Sequence, residues 1–148
     1  MLIGSFSHTL DAKGRVFVPA KWRDDVGDTL IVTLGLLGEG GTACLYGMSV
    51  AEWELFSEKL AALPMTDVTG QAVRRRLYAT AAACETDKQG RVLIPAQLRE
   101  TAGLTREATL IGVGNRIEFW DPEQLRRHSE AAEAGFADAL RHLQQLGI

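Results

Sequence analysis

The chain repeats itself, and that repeat limits the folds open to it more than any other feature. The segment Asp11-Ala-Lys-Gly-Arg-Val-Phe-Val-Pro-Ala-Lys-Trp-Arg-Asp24 aligns without gaps on Asp87-Lys-Gln-Gly-Arg-Val-Leu-Ile-Pro-Ala-Gln-Leu-Arg-Glu100, an offset of 76 residues. Seven of the fourteen positions are identical (Asp, Gly, Arg, Val, Pro, Ala and a second Arg), and positions 17 and 18 stay apolar at 93 and 94. One supersecondary unit is therefore expected twice in one chain. A weaker extension matches Leu30-Ile31-Val32 with Leu110-Ile111-Gly112, and Tyr46 with Trp120 as the end of an apolar run.

Each copy reads as strand, tight turn, strand, short helical turn, strand, loop, strand and helix. The first strand covers Ile3 to Leu10 in copy one and about Ala82 to Thr86 in copy two. The turn is Asp-x-x-Gly: Asp11 and Asp87 accept backbone N–H groups two or more residues on, and Gly14 and Gly90 supply a positive φ. Arg15 and Arg91 open the next strand, which Pro19 and Pro95 end. Ser49 with Glu52 forms a capping box, and Asp121-Pro122 an N-cap followed by proline. Apolar residues at 50, 53, 56, 60 and 63 predict a helix over 49–63, broken by Pro64. A second helix is predicted from Thr66 or Asp67 to about Thr80, and a helical C-terminus from Pro122 to Leu146 with a break at Gly135. The first copy carries an extra glycine-rich loop, Gly35 to Gly41. Neither connector is Pro/Ser-rich, so the halves are expected to pack on each other.

At 148 residues and 46% hydrophobic content the chain suffices for one or two small units with a real core. No stretch approaches the ~20 apolar residues of a membrane span, and the opening lacks a signal-peptide pattern. A cytoplasmic protein without membrane or small-molecule partners is expected. Cys44 and Cys84 stand apart from each other and from any ligand cluster, so each is read as a buried free thiol. The net charge of −3 argues against indiscriminate nucleic-acid binding, although local clusters of cations matter more than the sum.

Those clusters sit at the repeated turns. Arg15 and Arg91, with Lys13 and Lys88 beside them, form two small cationic loops. A guanidinium bonds phosphate or the O6/N7 edge of guanine in bidentate fashion. Two such turns bring two guanidinium groups and two lysines to a chain that is acidic in total. The same residues also read as salt-bridged turns with no ligand. Arg23 and Arg99 follow the helical turn and suit either fold support or secondary DNA contact. The run Arg74-Arg75-Arg76 suits a solvated face, an inter-subunit ion pair or a DNA-backbone contact. Trp22, Trp53 and Trp120 are not interleaved with basic residues and read as packing residues. His8, His128 and His142 form no ligand set or triad. No cofactor or metal is expected, and no nucleotide-binding, metalloprotease or nucleophile-elbow motif is present. Gly38-Glu-Gly-Gly41 reads as a surface loop, since no Lys-Ser/Thr follows it.

The Asp-x-x-Gly-Arg-Val-x-[Val/Ile]-Pro-Ala-x-x-Arg element resembles the core of the AbrB/SpoVT DNA-binding domains. Two copies in a chain of this length resemble the MraZ family, as do Ile3-Gly-Ser-Phe-Ser-His-Thr-Leu-Asp11 and Cys84-Glu-Thr-Asp-Lys-Gln-Gly-Arg91. The resemblance implies an α+β, mainly β fold: a pseudo-two-fold, swapped-hairpin β-barrel of two AbrB-like repeats with connecting and C-terminal helices. On that pattern residues 1–50 form repeat one, 51–78 the connecting helices, 79–122 repeat two and 123–148 a C-terminal helical region. It further implies ring-like homo-oligomers and a nucleoid-associated regulator of the division and cell-wall gene cluster that includes its own gene. Such a regulator binds direct repeats in double-stranded promoter DNA through Asp-x-x-x-Arg turns, a role that Arg15 and Arg91 inherit. The turns differ within this chain, Ala12-Lys13 against Lys88-Gln89, so unequal contacts are expected. Two alternatives stay open: an oligomeric protein-interaction module without a DNA target, and a toxin-neutralising antitoxin.

Overall fold

A computed structural model describes residues 1–36 and 44–148. The loop reading for Gly38 to Gly41 lies outside the described residues. Copy one contributes β1 (Leu2–Thr9), β2 (Arg15–Phe17), a 3-10 turn (Ala20–Trp22), α1 (Arg23–Val26), β3 (Thr29–Leu34) and β4 (Leu45–Ser49). Two helices follow, α2 (Val50–Ala61) and α3 (Val68–Thr80). Copy two contributes β5 (Ala82–Glu85), β6 (Arg91–Leu93), α4 (Ala96–Ala102), β7 (Glu107–Gly114) and β8 (Ile117–Trp120), and α5 (Pro122–Ala134) and α6 (Phe136–Gln145) close the chain. The fold is α+β with antiparallel sheets.

The helix starts fall where short polar side chains can satisfy exposed N–H groups. Ser49 accepts from the Glu52 amide, Asp67 from Gly70 and Asp121 from Gln124. Pro19 and Pro95 sit at the N-cap of their helical turns and end the preceding strands after three residues each.

The halves exchange strands. A six-stranded sheet runs in the order β1-β7-β8-β4-β3-β5, and β2 pairs with β6 in a separate ribbon. Strand β1 of copy one lies on β7 of copy two, from Leu2↔Gly114 to Thr9↔Glu107. Strand β5 of copy two lies on β3 of copy one, from Thr29↔Glu85 to Val32↔Ala82. Swapping the two halves maps this set of pairings onto itself. The expected closure into a barrel is absent among the described residues: the edge strands β1 and β5 are not paired with each other, and the ribbon is only three residues deep because proline ends both of its strands.

The core lies between sheet and ribbon. Val16 and Val92 point inward from the ribbon and are fully buried, as are Ile94, Leu30, Leu45, Leu110, Ile117 and Phe119. Trp22 is buried edge-on against Phe6, at a centroid distance of 5.0 Å, and its indole N–H donates to the Ile3 carbonyl. Trp120 is buried in a smaller cluster with Cys44, Tyr46 and Met48, while Trp53 is half-buried against Phe56 and Tyr78. The buried Glu118 carboxylate accepts from the Trp120 indole at 3.0 Å and the Arg116 guanidinium at 2.9 Å, so the charge is not left alone. Both cysteines are free and buried, and burial pushes the thiols up, to about 12 at Cys44 and about 11 at Cys84. No helix among the described residues is long and apolar enough to cross a membrane, and no group of three His, Cys, Asp or Glu could hold a metal ion.

Candidate nucleic-acid interface

The two repeated turns have the same internal wiring. In the first, Asp11 Oδ1 accepts from the Lys13 and Arg15 amides at 3.0 and 2.9 Å, and Oδ2 accepts from Arg15 Nε at 2.6 Å. In the second, Asp87 Oδ1 accepts from the Gln89 and Arg91 amides at 2.9 Å each, and Oδ2 from Arg91 Nε at 2.8 Å. A backbone pair between residues i and i+4 closes each loop, Asp11 N–H to the Arg15 carbonyl and Asp87 N–H to the Arg91 carbonyl. The bland reading of these residues, a salt-bridged turn, therefore holds. It does not use up the arginines. A guanidinium has five N–H donors and the aspartate takes one through Nε, which leaves the terminal Nη groups. Arg15 and Arg91 keep 30% and 23% of their side-chain surface. The carboxylate fixes the direction of a cation that would otherwise sample many rotamers.

The fold then joins the two turns. Because β2 pairs with β6, Arg15 stands opposite Leu93 and Phe17 opposite Arg91. With Val16 and Val92 inward, strand alternation turns Arg15, Phe17, Arg91 and Leu93 to the outer face. Phe17 and Leu93 keep 41% and 50% exposure there, and the Arg91 guanidinium lies 6.0 Å from the centre of the Phe17 ring. The apolar pair was not among the sequence candidates. Its signal was available: an apolar residue two positions beyond an exposed arginine, in both copies.

The predicted site residues separate into groups. Arg91 Nη1 also approaches Asp11 Oδ2, at 3.7 Å, so the turns touch and Asp11 serves both arginines. Lys13 and Lys88 are both exposed but occupy different places, the second residue after Asp11 and the first after Asp87. Arg23 and Arg99 are crossed clamps. Arg23 of copy one lies over Gly90 of copy two and donates from Nε to the Val18 carbonyl at 3.0 Å. Arg99 of copy two lies over Gly14 of copy one and donates to the Ile94 carbonyl at 2.9 Å. Gly14 and Gly90 have φ of +88° and +84°. A side chain there would collide with the opposing guanidinium, so each glycine serves both turn and clamp. Arg74, Arg75 and Arg76 lie on α3, away from the ribbon in sequence. Arg74 rests 5.6 Å above the Tyr78 ring, and none of the three has an ion-pair partner among the described residues.

The aspartates are held ionised. Hydrogen bonding from the Arg15 amide, aided by the Arg15 side chain and the Lys13 amide, takes the Asp11 carboxyl from the ordinary 3.8 to about 2 against a smaller opposing effect of desolvation. The Arg91 amide lowers Asp87 in the same way. A carboxyl depressed in the folded state stabilises the fold above its unfolded pKa and loses that contribution as pH falls through the folded one. We expect an Asp11→Ala/Asp87→Ala chain to melt below wild type at neutral pH. The two melting temperatures should converge as pH falls from 3.8 towards about 2. A gap independent of pH across that window would show that the carboxylates do not hold the turns by charge.

The family described as "MraZ protein, putative antitoxin-like" matches the chain twice, over residues 1–76 and 77–146. The "Transcriptional regulator MraZ" of Carboxydothermus hydrogenoformans is 44% identical over 138 residues, 93% of each chain. That of Thermoanaerobacter pseudethanolicus is 42% identical over 148 residues, the full length of both. The solution structure of PHS018 from Pyrococcus horikoshii aligns over 82% of this chain at 18% identity, with a TM-score of 0.33, too low to bear on the fold. Two family matches that together span nearly the whole chain, and full-length relatives above 40% identity, place this protein in the MraZ family.

Proposed function

We propose that this chain is a DNA-binding transcription regulator and that the outer face of the β2–β6 ribbon is its contact surface. One observation carries the reading: the fold brings two separate Asp-x-x-x-Arg turns, residues 11–15 and 87–91, onto one ribbon, with both guanidinium groups oriented and partly free. The Nη groups of Arg15 and Arg91 meet phosphate or guanine edges, Lys13 and Lys88 add phosphate contacts, and Phe17 and Leu93 supply apolar surface between them. Arg23 and Arg99 hold the turns and lend their remaining N–H groups at the margin.

The MraZ resemblance extends the proposal. The crossed strand pairing fits two AbrB-like repeats, 1–50 and 79–122, that exchange strands, with helices over 51–78 and 123–148. The target is direct repeats in promoter DNA of the division and cell-wall gene cluster, with the protein acting as a nucleoid-associated, cytoplasmic, ring-like homo-oligomer. The curated relatives' name, transcriptional regulator, supports the DNA reading.

The test is a fluorescence-anisotropy titration onto the duplex upstream of the chain's own gene, beside a scrambled duplex, at two salt concentrations. If four cations per chain neutralise four phosphates, counterion release weakens binding about 10²-fold between about 50 and 200 mM salt. The native duplex should bind tighter than the scrambled one. Equal binding would reduce the claim to non-specific association. No binding by an intact oligomer would favour the protein-interaction reading, which the net charge of −3 supports.

A further inference from the structure

The arginines of α5 and α6 are neutralised within their own helices. Arg126 pairs with Glu123 and Glu130, Arg127 with Glu123 and Arg141 with Asp138. Those of α3 are not. The sequence carries no Asp or Glu between Asp67 and Glu85, and no carboxylate among the described residues pairs with Arg74, Arg75 or Arg76. A chain of net charge −3 thus keeps three adjacent guanidinium groups with their charge unspent.

Two of them share a built face. Gln71, Arg74, Arg75 and Tyr78 recur at three- and four-residue spacing, which puts them on one side of α3, and together they line a shallow cleft of about 260 Å³. Leu77 on the other side is buried, and its carbonyl accepts from the Thr33 hydroxyl of β3 at 3.3 Å, so the helix cannot roll. Gln71 donates from its side-chain amide to the Leu63 and Pro64 carbonyls, at 3.3 and 3.1 Å. Tyr78 packs edge-on against Trp53 of α2, with centroids 5.5 Å apart, and carries the Arg74 guanidinium over its ring. A ring, unlike a carboxylate, directs a guanidinium without neutralising it.

We propose that the Arg74 and Arg75 face of α3 is a second DNA contact, binding backbone phosphates of the duplex that lies on the ribbon. The proposal rests on the DNA-binding reading and extends it to a surface outside the repeated turns. Charge selects the occupant: a guanidinium pairs phosphate oxygens in bidentate fashion, and the cleft offers no acid to repel them. Reach agrees. From α3 the chain passes through the edge strand β5 directly into the Asp87 turn. Seven extended residues from Thr80 to Asp87 and five helical ones from Arg75 to Thr80 set the arginines at most about 30 Å from that turn, inside one ~34 Å turn of duplex. Phosphate contacts carry no sequence information, so α3 sets the lie of the duplex while the ribbon reads it.

Fluorescence anisotropy on the native and scrambled duplexes tests this with wild type, Arg74→Ala/Arg75→Ala, Arg74→Lys/Arg75→Lys and, as a control for net charge, Arg126→Ala/Arg127→Ala. Removing two phosphate contacts should weaken binding to both duplexes by the same factor, about tenfold at about 50 mM salt. It should also cut the loss between about 50 and 200 mM salt by about tenfold. The lysine variant should keep the wild-type salt dependence, and the α5 control should bind like wild type. An Arg74→Ala/Arg75→Ala chain that binds and responds to salt like wild type overturns the proposal, leaves the DNA-binding reading standing and gives the face to an acidic protein surface. Equal weakening by the α5 control overturns it in favour of net charge alone. A changed sedimentation coefficient in the alanine variant overturns it in favour of a subunit contact. A wild-type chain that binds neither duplex overturns both readings.

Discussion

A chain carrying both Arg15→Ala and Arg91→Ala is expected to bind its promoter duplex on the order of 10²-fold more weakly than wild type, with its fold intact. A well-placed arginine contact contributes about 1–3 kcal/mol, so two per subunit account for a loss of that order. The fold should survive because the carboxylates keep their backbone partners: Asp11 still accepts from the amides of residues 13 and 15, and Asp87 from those of 89 and 91. The salt dependence should flatten by about one phosphate per arginine removed. The single variants should differ, since Arg91 shares Nη1 with Asp11 whereas Arg15 has no second carboxylate. The measurement is anisotropy at two salt concentrations, with circular dichroism as the control. A double variant that binds like wild type would remove the ribbon from the interface.

Gly90→Val acts on the fold itself and should cost about 3 kcal/mol, a large share of the ~5–15 kcal/mol that holds a domain together. Two effects combine. A β-branched residue at φ +84° is strained by about 1–3 kcal/mol. The new Cβ also falls well inside 3.0 Å of the Arg23 guanidinium, which must swing away and give up its hydrogen bond to the Val18 carbonyl. A hydrogen bond from a charged group is worth about 1.5–3 kcal/mol. Gly114→Val separates the two effects, because its φ is +85° and nothing lies within 4 Å of the added Cβ. Urea unfolding should therefore rank Gly90→Val below Gly114→Val, and Gly114→Val below wild type. Equal losses would mean that the clamp contributes nothing.

Much of this arrangement is legible in the sequence, and each legible part is local. Ser49, Asp67 and Asp121 are short polar residues that can reach an N–H on the next turn, so the starts of α2, α3 and α5 can be read from composition and spacing. The turns could be read because a repeated Asp-x-x-Gly has few physical uses. What failed to show is what depends on contacts between the halves. No pattern within residues 11–24 says that the Arg23 guanidinium will cover Gly90, 67 positions away, or that β2 will choose β6 as its partner. The exposure of Phe17 and Leu93 does not show in the sequence, where both are simply apolar positions kept between the two copies. Only the inward placement of Val16 and Val92 decides which way their neighbours face. The resemblance implied a closed barrel. The proline that marks each strand's end also stops the ribbon at three residues, and the sheet edges remain apart.

The crossed strands carry a consequence for how such a protein can diverge. Neither half has a complete sheet of its own, because β1 needs β7 and β5 needs β3. An isolated half would have to borrow those strands from an identical copy, and two identical halves present two identical turns. Joining them in one polypeptide keeps the shared scaffold and frees each turn to vary separately. Lys13 and Lys88 already stand at different places in their loops. On the proposed reading, a duplex lying along the ribbon would meet a surface with a head and a tail, and the sequence recognised would have a direction.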